Sequence, residues 1–151
     1  MAELAHLSVA AQIGADDPAA SGAGVVVRMV EAGTLRLVSG AALAPNTVAD
    51  GMLWLAPERA LQLGGAAPEG FVADVSDGFA VFELAGGGAA DLLAMGSTLD
   101  PALLAPGRCA QSVFAGVKVV LYGTPEAIRL IVERSLAAYL LAWFKQAAGG
   151  L

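Results

Sequence analysis

The sequence predicts an α+β fold, an antiparallel sheet with two helices packed on it. Three observations lead there. Short β-rich runs recur between Gly, Pro and Asp turn residues. An Ala/Leu-rich helical stretch follows the run Gly86-Gly87-Gly88. An apolar stripe with helical spacing closes the chain. With 151 residues, a single domain able to bury a sizeable core is expected.

Taken in order, residues 1–22 are rich in alanine and read as an irregular N-terminal arm, with the α+β domain over 23–148. Val25 to Val30 and Thr34 to Val38 flank Glu31-Ala32-Gly33, a pattern that predicts a hairpin. A loop with Pro45 and Asn46 follows over 39–49. Met52 to Leu55 reads as a strand stopped by Pro57, and Ala60 to Leu63 as its successor. Phe71 to Val75 and Phe79 to Leu84 enclose Asp77-Gly78, the signal for a second hairpin. Ala89 to Met95 is a short helix, and Pro101 to Ala105 one helical turn. Arg108 to Ala115, Val117 to Tyr122 and Ala127 to Val132 are strands, split by Gly116 and by Gly123-Thr124-Pro125. Ser135 is placed to cap a final helix over 136–148. There Leu136, Tyr139, Leu140, Trp143, Phe144 and Ala147 form one stripe, and Leu141 widens it. A helix apolar on more than one side is normally covered on both. The alternation of hairpins and helices is ferredoxin-like.

Composition narrows the function. Charged residues make up 15% of the chain, against roughly 25% in average domains, and mean hydropathy is +0.69. Two explanations stand side by side: abundant alanine, which raises hydropathy without adding much apolar area, or a surface covered by a partner. The net charge of −6 argues against nucleic acid. Residues 1–107 hold three arginines and twelve acids, a net −9, whereas 108–151 hold five bases and two acids, a net +3. No apolar run reaches the about 18 residues of a membrane span, and Glu3 stands where a signal peptide wants a basic residue. A cytoplasmic location is expected.

Reactive groups are scarce. One cysteine, Cys109, and one histidine, His6, exclude an internal disulfide and leave little for metal clusters or catalytic triads. Gly86-Gly87-Gly88 could present amides to an anion, but no phosphate-loop pattern surrounds it, and a turn for close packing explains it better. Asp74, Asp77 and Glu83 lie near one predicted hairpin. Asp74 and Asp77 differ by an odd number on a strand and should not converge, and Asp77 serves the turn. Arg108 beside Cys109 should face away from the sulfur, leaving a small buried strand residue. No catalytic, cofactor-binding or metal-binding residue is assigned. The candidate interface is Tyr139, Leu140, Trp143 and Phe144 on the last helix, with Arg108 and Arg134, and Arg129 nearby, as charged contacts.

Residues 71–148 also carry a resemblance. Asp74-Val75-Ser76-Asp77, Phe79 to Leu84 and Gly86 to Leu93 are similar to the strand, Gly-turn and Ala/Leu-helix unit of the aminomethyltransferase-like folate-binding fold, related to that of TrmE. Gly96 to Asp100, Pro106 to Ser112, and Glu133 to Leu140 with Trp143 resemble the γ subunit of heterotetrameric sarcosine oxidase. The resemblance implies a structural subunit without catalytic residues, docked on the large α subunit of a complex that oxidatively demethylates sarcosine or a related N-methyl amine. FAD, FMN, NAD and tetrahydrofolate would belong to the partner subunits. N-methylglutamate fits as substrate equally well. Two alternatives stay open: a stand-alone folate- or anion-binding module near Gly86 to Ala89, and a homo-oligomer when the chain is isolated.

Overall fold

The computed structural model describes residues 20–22, 24–31 and 33–149. Eleven strands and two helices are arranged there in three layers. The strands are β1 (Ala20–Gly22), β2 (Val25–Val30), β3 (Leu35–Ser39), β4 (Val48–Ala49), β5 (Met52–Ala56), β6 (Arg59–Leu63), β7 (Val72–Asp74), β8 (Phe79–Ala85), β9 (Cys109–Phe114), β10 (Val117–Gly123) and β11 (Ala127–Glu133). The helices are α1 (Ala89–Gly96) and α2 (Ala137–Gly149).

The α+β class holds, but the single sheet is two. One sheet has six strands in the order β1-β2-β8-β11-β10-β9; the other has five, β4-β5-β6-β3-β7. Every named pairing is antiparallel. The six-stranded sheet lies in the middle. Alternate side chains explain how: on β8, Ala80, Phe82 and Leu84 join the core beneath the helices, while Val81 joins Leu35, Leu53 and Leu61 of the second sheet. Both faces of these strands are apolar because both are covered.

Two expected hairpins are corrected. β2 pairs with β1 and β8, and β3 with β6 and β7, so the chain passes from one sheet to the other between Val30 and Leu35. The expected β7–β8 hairpin fails in the same way. Residues 76–78 form a short 3-10 turn at a corner, and β8 crosses into the central sheet between β2 and β11. Asp77-Gly78 marks a change of direction without a return. The local hairpins do form: β5–β6, β9–β10 and β10–β11 pair as neighbours in sequence. At the β9–β10 turn Ala115 and Gly116 both have positive φ, 49° and 84°, the pattern of a tight two-residue turn.

Three smaller expectations shift. Ala20–Gly22, inside the segment read as irregular, is the edge strand β1; the rest of that arm, with His6, lies outside the described residues. The loop at 39–49 contains β4. Ser135 caps no helix, because Arg134–Leu136 is a 3-10 turn without a side-chain cap and α2 begins at Ala137.

Candidate interaction surface

The final helix divides its stripe between two environments. Leu140 and Phe144 are fully buried. Phe144 meets Phe82 at 5.2 Å and Phe114 at 5.5 Å between ring centroids. Both side chains therefore belong to the chain's own core, and this corrects their place in the candidate interface. A helix lying on a sheet must turn its most apolar face toward that sheet. Trp143 sits at the margin, partly buried, with its ring edge-on to Phe114 at 4.9 Å. Tyr139 is 51% exposed and its hydroxyl donates to Ala115 O at 2.7 Å. Met95, at the end of α1, is also half exposed. Arg134 and Arg108 are exposed, at the start of the 3-10 turn and just ahead of β9. The six candidates are thus not one patch: two are core, two rim the helical layer, and two are isolated surface cations.

The glycine run packs as a turn. Gly86 has φ of 101°, and a Cβ there would land on Gly24 O. Gly88 N donates to Gly24 O at 3.2 Å and Ala89 N to Gly86 O at 3.2 Å. Two of the amides that an anion would need are therefore engaged, and Asp91 occupies the first turn of α1. A recess of 390 Å³ beside this turn includes Glu126 in its wall, a further obstacle to an anion.

Asp74 and Asp77 are not brought together. Asp74 Oδ1 accepts from Ser76 Oγ at 2.6 Å and from Ser76 N at 3.0 Å, and Leu35 N donates to Ser76 Oγ at 2.8 Å. The Ser76 hydroxyl, then its backbone amide, holds the Asp74 carboxyl below the usual carboxylate range. Glu83 instead pairs with Arg129, its cross-strand neighbour, at 3.0 Å. Arg28 occupies the same register position on the other side of Glu83. Burial works against the Arg129 charge, but the Tyr122 hydroxyl and Glu83 outweigh it and raise its pKa. This row ties three strands together and is structural.

Cys109 is buried between the sheets. Its Sγ lies 3.5 Å from Thr47 O and 3.6 Å from Trp54 O. Burial pushes the thiol pKa up, against smaller opposing effects from the Trp54 backbone and Arg108. Among the described residues, no group of three His, Cys, Asp or Glu could hold a metal ion.

A feature outside the sequence reading is a groove of 470 Å³ between the sheets. Its walls include Leu37, Leu55, Phe79, Val120 and Ile131, and it runs to Val113 on the outer strand β9. Val113 is 53% exposed. Gln111 closes part of the opening, with Nε2 donating to Leu55 O.

The family model described as sarcosine oxidase, gamma subunit family, matches residues 17–150. The chain belongs to that family. A solved structure supports the same fold. In heterotetrameric sarcosine oxidase from Corynebacterium sp. U-96, in complex with pyrrole 2-carboxylate, one chain superposes with a TM-score of 0.77. The match covers 95% of this chain and 94% of that one at 22% identity, which establishes common architecture. No curated protein matches. Within the architecture of this γ-subunit family member, the exposed apolar residues fall in separate places. Met95 and Tyr139 belong to the helical layer and Val113 to the groove, while Leu103 lies on the 3-10 turn at 101–104 and Phe71 beside β7. No local pattern in the sequence marked the groove, Val113 included. Its other walls come from segments far apart in the chain. No helix among the described residues is long and apolar enough to cross a membrane.

Proposed function

We propose that this chain is a non-catalytic structural subunit of a heterotetrameric sarcosine oxidase-like complex. It docks on the large subunit, in a cytoplasmic complex that oxidises an N-methyl amine. The observation that carries this reading is the family match over residues 17–150. The exposed apolar residues Met95, Val113 and Tyr139 support it, since side chains of this size gain from being covered. FAD, FMN, NAD and tetrahydrofolate would be handled by the partner subunits, and this chain would supply surface. The engaged amides at Gly88 and Ala89 favour docking over anion binding.

Co-expression with the large subunit of such a complex tests the proposal. The expected result is a stable complex that keeps this chain through gel filtration. A chain that purifies as a well-behaved monomer and never associates overturns it. Tyr139→Asp separates docking from folding, because the side chain is half exposed and makes one hydrogen bond. It should leave the circular dichroism spectrum unchanged and weaken assembly by about tenfold or more if Tyr139 is covered in the complex.

A further inference from the structure

Among the described residues, the groove ends on a strand whose outer edge is open beyond Cys109. β9 is the last strand of the central sheet. The phase of its hydrogen bonds follows from two contacts. Gly123 N donates to Arg108 O at 3.1 Å, toward β10, whereas Cys109 N donates outward to Asn46 O at 3.0 Å. In an antiparallel pair the inward and outward residues alternate. Ala110, Ser112 and Phe114 therefore bond to β10, and Cys109, Gln111 and Val113 turn their main-chain groups away from it. Asn46 takes up the Cys109 amide. Gln111 and Val113 are left presenting N–H and C=O groups at a sheet edge, beside an apolar groove.

We propose that an extended segment of the large partner subunit adds to this edge as a further strand, with an apolar side chain seated in the groove. This rests on the subunit reading above and names the contact it would make. Backbone donors and acceptors in register are matched only by another strand, and the side chains that such a strand turns toward the second sheet would enter the groove.

Charge specifies the occupant further. Arg108 stands just ahead of β9, and Lys118 is the cross-strand partner of Val113 near its other end. Both are exposed, and neither makes an ion pair among the described residues. Residues 46–48 already pair beside Arg108, so an added segment would lie along Gln111 and Val113, with Arg108 beyond one end and Lys118 near the other, and acidic residues flanking its apolar centre would fit. A second copy of this chain fits poorly. Antiparallel pairing of two β9 edges about Ser112 would bring Arg108 of each copy to the hairpin turn beside Lys118 of the other, placing like charges together at both ends.

Amide hydrogen exchange in the full chain, alone and in the co-purified complex, tests the proposal. The expected result is fast exchange at Gln111 and Val113 in the isolated chain, slowed by about tenfold or more in the complex. Val113→Pro sharpens the test. It deletes an N–H that bonds to nothing among the described residues, and proline is tolerated at such an edge position. The variant should lose about tenfold or more in affinity for the large subunit, roughly what one or two backbone hydrogen bonds and an edge clash supply. Lys118→Glu should weaken assembly too, and more at low salt than at high. Unchanged exchange at 109–114 in a complex that does form overturns the added strand and leaves the subunit reading standing. So does protection already present in the isolated monomer, which would mean that residues 1–19 occupy the edge, or protection that appears only on self-association. If no complex forms, both readings fall. Should Val113→Pro fail to fold, the exchange comparison on the unaltered chain still decides.

Discussion

The two faces of the central sheet are packed in different ways. Beneath the helices, Phe82, Phe114 and Phe144 are fully buried, with Phe144 against Phe82, Phe114 and Trp143. Toward the second sheet, Leu35, Leu53, Leu61 and Ile131 are buried as deeply, but the Cys109 thiol and the Tyr122 ring share the layer. One end of that layer opens as the groove. A closed aromatic face holds the fold together. A face with a polar component and an open end leaves room for another chain. The proposed docking role would give that contrast a use, because a subunit must be stable before it docks and must still offer something unfilled when it does.

Truncating the closed face should have the largest effect. Phe144→Ala is expected to cost about 3–5 kcal/mol of folding stability, measured by urea unfolding, because three other aromatic rings lose their neighbour and cannot collapse into the space. Leu53→Ala in the inter-sheet layer should cost about 2–3 kcal/mol, near the low end for a buried leucine, because the two sheets can settle toward the groove. Equal losses at the two positions would erase the contrast.

This contrast was half legible in the sequence. The helical stripe of residues 136–147 announced a covered helix, and its spacing was right. Spacing does not say which neighbour covers which flank, so it assigns Leu140 and Phe144 to an interface with a partner when they fill the chain's own core. Hairpins were legible where the turn joins the strands that pair, as at Gly116. They misled at 31–33 and at Asp77-Gly78, where β2 and β8 find each other across more than forty residues and β3 takes β6 and β7. Each of those segments has apolar residues that suit either neighbour, and only the assembled layers decide. The groove was illegible for the same reason, since Leu37, Leu55, Phe79 and Ile131 share no local pattern. The glycine run at 86–88 and the burial of Cys109 follow from residue type and context, and both came out as expected.

Cys109 offers a probe of the softer face. Its thiol lies between the sheets, so labelling by a thiol reagent should be about a hundredfold slower in the native chain than in urea, and Leu53→Ala should accelerate it. The pH dependence has a definite sign. Below about 8.5 the thiol is protonated in both states and contributes no pH dependence. As pH rises past that value the unfolded chain loses the proton while the folded chain, its pKa raised by burial, keeps it. Stability should therefore fall through the alkaline range, and Cys109→Ala should flatten that fall. Rapid labelling of the native chain at neutral pH would show that the sheets part readily.

The smallest effect is expected at the outer edge of the second sheet, where β7 joins β3 through three register pairs and the Asp74–Ser76–Leu35 hydrogen bonds. Asp74 is fully exposed, and its pKa is lowered because the carboxylate accepts from the Ser76 hydroxyl and amide. The contribution is therefore present above the ordinary carboxylate pKa of 3.8 and is lost as pH falls through the lower folded value. Protonation weakens the acceptor, frees the Ser76 hydroxyl and loosens its hold on the Leu35 amide. Exchange at Leu35 should accelerate in acid while the amides of β8 and β11 stay protected, and Ser76→Ala should produce the same acceleration at neutral pH. The edge of the open face would then loosen locally, with the closed core unaffected. If the Leu35 and β8 amides exchange together at every pH, the two faces unfold as one unit and share a single stability.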